Sequence, residues 1–281
     1  MKVVVIGAGL LGREVVAVLQ HAGHEAELVS RSTGFDVTDP SYARLGADAV
    51  VNTAAYTNVD AAEYETREAY KVNAGGAEKI ARMAKRTRSR LIHISTDAVF
   101  HATGLDGVRR TELDTPCPAS VYGRSKLLGE QLAMSEYPET TIVRVANLYG
   151  EHGRNFGSKL QFMLKDQLMI STDKVRQVAP TWARWPAEVI TELLDRDHRG
   201  PLYHVCPKDL TTWHGFAERM SEAMQRTALL RPTVIRYQAP RSRVGALDSV
   251  MLPLRGIDIP TWDELLSRYL GAERGRVMEQ K

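Results

Sequence analysis

Cysteine is nearly absent from this chain: Cys117 and Cys206 are the only two in 281 residues. They form no C-x-x-C pair and stand beside no group of histidines, which excludes a disulfide framework and leaves no zinc spacing. The eight histidines are scattered, so no metal site is predicted. Long hydrophobic runs are missing as well. The opening MKVVVIGAGLLG holds one lysine and a short apolar run broken by glycines. That is too short for a membrane span and lacks a signal-peptide cleavage pattern, so a soluble, cytoplasmic protein is expected. Nor is there an excess of charge: 37 basic against 34 acidic residues leave a net +3. The one dense basic run, AKRTRSR over residues 84–90, reads as a solvated helix end favoured by the helix dipole, in preference to a nucleic-acid patch.

What is present is a rhythm. Short apolar runs alternate with helical stretches: KVVVIG, GREVVAVLQHAG, EAELVS, ADAVVNTA, AEKIARMAKR, RLIHISTD, SKLLGEQLAMSE and TTIVRVANLYG. Such alternation predicts βαβ units, and the mostly apolar strands predict a parallel sheet covered on both faces. The fold class expected is α/β, a Rossmann-type doubly wound parallel sheet with a smaller C-terminal substrate-binding region. Residues 1–150 form the NAD(P)-binding part. Residues 151–281 are mainly substrate-binding, with some segments able to return to the first part. In that second stretch GPLYHVC and PTVIRYQ read as strands. TTWHGFAERMSEAMQR and TWDELLSRYL read as helices, the first capped by Thr211 or Thr212.

Gly7, Gly9 and Gly12 spell G-x-G-x-x-G directly after the first strand and before an amphipathic helix. The first glycine permits a tight turn, the second lets backbone approach a pyrophosphate, and the third allows close helix packing. With Leu10 and Leu11 between them, they are the predicted dinucleotide-binding turn. At the end of the second strand, where an acidic residue would meet the ribose of NADH, the chain reads VSRS. Arg31, flanked by Ser30 and Ser32, suits a 2′-phosphate and so favours NADPH, with NADH and an ordinary loop arginine as the alternative.

ASVYGRSKLLGE, residues 119–130, sets Tyr122 and Lys126 one helical turn apart on the same face. A free tyrosine lies about three units, or roughly 4 kcal/mol, from half ionisation at neutral pH, and a nearby ammonium lowers that cost. Upstream, LIHISTDAVF brings Ser95, Thr96 and Asp97 to the carboxyl end of a strand, where a hydroxyl can orient a substrate oxygen.

Together with NTAAYTNVDAAE and APRSRVGALD…GIDIPTW, these motifs resemble the extended short-chain dehydrogenase/reductase superfamily, and within it the dTDP-4-dehydrorhamnose reductase family. The resemblance implies an oxidoreductase of deoxysugar biosynthesis that acts on a nucleotide sugar, with a homodimer as the implied assembly. Thr96, Tyr122 and Lys126 become the catalytic triad. Thr96 polarises a sugar ketone, Tyr122 donates the proton, and Lys126 binds the nicotinamide ribose while depressing the tyrosine pKa. Asp36 and Val37 are placed against adenine, Ala54, Ala55 and Tyr56 along the cofactor, Asn73 in the helix behind the site, and Thr96 and Asp97 by the sugar. Arg241 and Arg243 match a segment near the nucleotide end. Arg109 and Arg110 reach a diphosphate or, as the favoured reading, lie in a solvated loop.

The chain also departs from the pattern. GAGLLG is one residue shorter than the usual short-chain glycine motif, Ala98 replaces a tyrosine, and Asn147 stands where a tryptophan is expected. Asn147 matches instead the asparagine that sugar-nucleotide epimerases hold near the diphosphate. The larger pocket predicts a different deoxysugar nucleotide from dTDP-4-dehydrorhamnose. Two other readings are an epimerase or dehydratase with retained NAD, and a non-catalytic regulatory subunit resembling the beta subunit of methionine adenosyltransferase.

Overall fold

The computed structural model describes residues 1–40, 46–100, 108–153, 155–166, 169–226 and 229–279. The chain runs β1 (Lys2–Ile6), α1 (Leu10–His21), β2 (Glu25–Val29), β3 (Ala49–Asn52), α2 (Thr66–Tyr70), α3 (Gly76–Thr87), β4 (Arg90–Thr96), α4 (Val121–Glu136) and β5 (Thr141–Val145). It continues through β6 (Leu148–Tyr149), α5 (Phe156–Lys165), β7 (Ile170–Asp173), β8 (Gln177–Val178), β9 (Thr181–Trp182), α6 (Arg184–Asp195) and β10 (Leu202–Val205). The remaining elements are β11 (Thr211–Thr212), α7 (Trp213–Ala223), β12 (Leu230–Thr233), β13 (Val244–Gly245), α8 (Met251–Leu254) and α9 (Trp262–Glu279).

Six strands make one sheet in the order β10-β5-β4-β3-β1-β2, every neighbouring pair parallel. The chain order reverses between β1 and β3, and in such sheets ligands bind outside the carboxyl ends at that switch. Helices cover both faces, as the apolar strands require. On one face Val3, Val5, Val51, Ile92, Ile94 and Val143 meet Val15 and Leu19 of α1 and Ile190 and Leu193 of α6. On the other, Val4, Ile6, Val50 and Leu91 meet Ala77, Ile80 and Ala81 of α3. Each fully buried valine or isoleucine contributes about 1.5–3 kcal/mol.

Segments beyond residue 150 are interleaved with this sheet: β10 closes its edge beside β5 and α6 lies against α1. The rest, with β6, builds three small sheets beside an aromatic cluster in which Tyr149 meets Phe216 at 5.0 Å and Phe156 meets Trp213 at 4.4 Å between ring centroids. Thr212 caps α7, its hydroxyl accepting from the Gly215 amide at 3.0 Å. The stretch read as the strand PTVIRYQ is strand only to Thr233, because β12 runs beside β7 and β7 ends at Asp173. Val234 is left exposed. The basic run 84–90 ends α3, where Lys85 and Arg86 occupy the last turn.

Candidate active site

Two adjoining clefts open at the carboxyl edge of the sheet. The larger, about 730 Å³, is lined among others by Gly9, Thr96, Tyr122, Lys126, Arg176 and Arg241. The smaller, about 340 Å³, runs over Gly7, Arg31, Asp36, Val37, Ala54 and Ala55. Gly9, Thr53, Ala55 and Thr57 belong to both.

The glycine turn suits a dinucleotide in this chain despite its shortened spacing. Gly7 sits at φ 109°, and a Cβ there would come within 2.8 Å of the Ala54 nitrogen. A Cβ on Gly12 would run into the Gly7 carbonyl, whereas one on Gly9 would meet nothing within 4 Å. The first and third glycines are therefore demanded by the fold, and the second leaves open backbone at the cleft. Beyond it, Ser30 and Ser32 hydroxyls lie 2.8 Å apart beside Arg31 in a short 3₁₀ turn. Asp36 accepts from the Thr38 amide at 2.8 Å, and hydrogen bonds from Thr38 hold its carboxyl below the ordinary value.

Helix α4 starts where Ser120 caps it, its hydroxyl accepting from the Gly123 amide at 3.0 Å. Glu63 Oε1 accepts from the Val121 amide at 2.8 Å. Gly123 has no room for a side chain because the Ala98 carbonyl lies there, and Gly129 likewise abuts the Asn73 carbonyl. This close approach brings the first turn of α4 onto the end of β4. Tyr122 and Thr96 line the same cleft, and Thr96 Oγ1 donates to Asp97 at 3.1 Å and accepts from the Ala98 amide at 3.2 Å. Lys126 Nζ donates to the Ile94 carbonyl at 2.6 Å. Asn73, in a π-helical turn, binds the Tyr56 backbone through its Oδ1 and donates to Ser125 Oγ at 2.9 Å, tying the loop after β3 to α4.

Burial pushes the Tyr122 phenol up to about 12 against the smaller lowering by Thr96. It also pulls the Lys126 ammonium down to about 8, which Glu130 partly offsets. The expected depression of the Tyr122 pKa by Lys126 does not appear in the cofactor-free protein: burial raises the phenol most, and the Asp97 charge raises it further. The raised value keeps the phenol protonated at neutral pH and makes it a weaker acid than free tyrosine, but still a stronger one than the alcohol it would protonate. Burial also raises the Asp97 carboxyl, opposed by Arg176, whose guanidinium lies 3.8 Å from it.

Other expected site residues separate into two groups. Leu10, Leu11, Ala98, Asn147 and Arg241 line the large cleft. Asn147, at φ 49°, donates its amide to the Gly245 carbonyl, so it braces a wall. Arg241 pairs with Asp60 at 2.9 Å. Tyr56 lines neither cleft, because its hydroxyl donates to Glu65 at 2.9 Å. Arg109 and Arg110 are also elsewhere: the first donates to the carbonyls of Pro207, Lys208 and Leu247, and the second pairs with Asp114 at 3.4 Å. The first part of the segment between the catalytic elements, residues 101–107, lies outside the described residues. Arg176, Phe156 and Trp213 line the large cleft and were not singled out by sequence, since no motif surrounds them. Glu14, Glu151 and His152 bring possible ligand atoms within 4.8 Å of one another, with His152 Nε2 3.9 Å from the Glu14 carboxylate. The scattered histidines gave no hint of this cluster.

The family model described as the RmlD substrate binding domain matches residues 1–274. The chain belongs to that family. It is 32% identical over 283 residues to dTDP-4-dehydrorhamnose reductase of Mycobacterium tuberculosis, covering 96% of this chain and 93% of the relative. It is 33% identical over 280 residues to the spore coat polysaccharide biosynthesis protein SpsK of Bacillus subtilis, covering 96% of each. The crystal structure of dTDP-4-dehydrorhamnose reductase from Bacillus anthracis in complex with NADP superposes with a TM-score of 0.89 at 28% identity, covering 96% of this chain and 99% of that one. In this member of the RmlD family Thr96, Tyr122 and Lys126 line one cleft together with Ala98 and Asn147. No helix among the described residues is long and apolar enough to cross a membrane.

Proposed function

We propose that this protein reduces the ketone of a nucleotide-linked 4-keto-6-deoxysugar, with NADPH as the reductant. The observation that carries this reading is the convergence of Thr96, Tyr122 and Lys126 on a cleft that begins at the glycine turn. NADPH, when bound, supplies a hydride, which no side chain can. Gly7, Gly9, Leu10, Leu11 and Gly12 hold the pyrophosphate at the start of α1, Arg31 takes the 2′-phosphate, and Asp36, Val37, Ala54 and Ala55 enclose the adenosine. Lys126 holds the ribose beside the reacting carbon. Thr96 hydrogen-bonds the ketone oxygen and fixes its direction. As negative charge grows on that oxygen, Tyr122 transfers its proton to it and leaves an alcohol; solvent reprotonates the phenolate. Asp97 and Ala98 border the sugar, and Arg176 and Arg241 offer positive charge to the diphosphate. Asn147 acts on the substrate only by bracing that wall.

The space left by Ala98 and Asn147 supports a sugar different in shape from dTDP-4-dehydrorhamnose. This reading takes the enzyme to be a cytoplasmic homodimer, which light scattering after size exclusion tests. Its direct test is NADPH consumption with dTDP-4-keto-6-deoxyglucose, with and without a 3,5-epimerase, beside the Tyr122→Phe variant. Turnover is expected, lost by about 10²–10⁴-fold in the variant with NADPH affinity kept. Unchanged turnover in the variant contradicts Tyr122 as donor, and no consumption with either sugar contradicts the substrate class.

A further inference from the structure

The sheet face beneath α4 is polar. Alternation along the strands puts Asn52, His93, Arg144 and His204 on the same side as Val50 and Leu91, the side that α3 and α4 cover. All four are buried. Arg144 reaches from β5 into α4 and grips Glu130 with two hydrogen bonds, Nε to Oε1 at 2.9 Å and Nη2 to Oε2 at 2.6 Å. Its guanidinium lies over the Phe100 ring at 5.1 Å. It also donates to His204 Nε2 at 3.3 Å, which leaves His204 Nδ1–H to donate to the Asp248 carbonyl at 2.9 Å. Glu130 stands one helical turn beyond Lys126 on the buried side of α4. A buried ion pair rarely adds net stability over an apolar pair of the same size, so its presence directly behind the catalytic lysine needs another reason.

We propose that the Glu130–Arg144 pair is a positioning device for Lys126: Glu130 keeps a compensating negative charge within reach of the ammonium, and Arg144 sets how much of that charge Lys126 feels. Glu130 and Arg144 are therefore positioning residues and not catalytic ones. Lys126 donates to the Ile94 carbonyl of β4, and the titratable groups coupled to it are Glu130 from its own helix and His93 from β4. His93 is held neutral: burial and then the Lys126 charge keep its pKa well below the ordinary value. Asn52, whose Oδ1 accepts from the Ala54 amide at 3.2 Å, donates to its Nδ1 at 3.1 Å. Glu130 is thus the anionic neighbour on the sheet side of the lysine. The inference rests on Lys126 acting in ketone reduction, but its first readout does not.

The test is the titration of Lys126 in the cofactor-free protein, read by carbon-13 NMR of labelled lysine and assigned with Lys126→Arg, in three variants: Glu130→Gln, Arg144→Gln and the double variant. Removing the carboxylate leaves Arg144 behind and moves the titration down by about one pH unit; removing the guanidinium moves it up by a similar amount. The double variant returns to within about 0.3 unit of the parent, because the two charge changes cancel. The alkaline limb of the NADPH-dependent rate follows the same order. A fall in rate in all three variants with an unmoved titration overturns the proposal and leaves the pair a packing element. If Glu130→Gln does not fold, the other two decide: an upward shift in Arg144→Gln that the double variant cancels supports it, and no shift overturns it. A moved titration without sugar turnover keeps this inference and contradicts only the substrate.

Discussion

Tyr122 and Lys126 are shifted in opposite directions by the same cause. Burial disfavours the charged form of each, so the phenol is pushed up to about 12 and the ammonium down to about 8. Ketone reduction needs both protons in place, the first to be transferred and the second to hold its charge. As pH rises, Lys126 is the group that loses its proton first. The rate of reduction is therefore expected to be flat below about 8 and to fall as pH passes through it, and a kcat profile checks this. A rate that stays level until the phenol ionises would contradict the dependence on Lys126. Arg31 offers a second prediction at this scale. Arg31→Ala is expected to weaken NADPH by about 10–100-fold, the loss of a charge-assisted phosphate contact, and to leave NADH nearly unchanged in isothermal titration. At the residue scale the sequence was most readable where chemistry is carried by short spacings, as in Y-x-x-x-K and the glycine turn. It was least readable at Arg176 and Arg144, whose partners Asp97 and Glu130 are met only after the sheet has formed.

Elements bring these side chains to one place, and glycine sets how closely they approach. Helix α4 buries Gly123, Ser125, Lys126, Gly129 and Glu130, an unusual set for a helix inside a fold. Its seat depends on close backbone contact with Ala98 and Asn73 in place of a broad apolar stripe. Gly129→Ala is expected to push α4 off the Asn73 carbonyl, costing about 1–3 kcal/mol in denaturant unfolding and lowering kcat more than it weakens NADPH. Equal stability of parent and variant would mean that the helix is not seated in this way. Apolar runs revealed β1, β3, β4 and β5 because these strands are buried on both faces, whereas β2, at the sheet edge, is buried only at Val29. The two-residue strands of the small sheets were invisible for the opposite reason, being too short to carry a period. The π-helical turn that aims Asn73 at Tyr56 and Ser125 also left no sequence signal, since its turn residues are those of an ordinary helix.

At the scale of the whole molecule, a doubly wound sheet supplies the cofactor edge, and the segments after residue 150 supply the facing wall. That wall is not a separate body, since β10 and α6 join the sheet and its covering layer. The aromatic cluster around Tyr149, Phe216 and Tyr269 fixes the rest against it. Sequence could mark the change of rhythm near residue 150 and allow a later segment to return to the first part, but not show that β10 would pair with β5, because strand order is a property of long-range pairing. Net hydride transfer to a sugar ketone sets this enzyme apart from an epimerase, which removes and returns hydride, and from a binding subunit, which does neither. The most direct measurement is mass spectrometry of the sugar nucleotide after incubation with NADPH deuterated at the transferring position. The expected product has gained one deuterium and one proton and forms in step with oxidised cofactor. A sugar that is altered without deuterium and without cofactor consumption would contradict net hydride transfer.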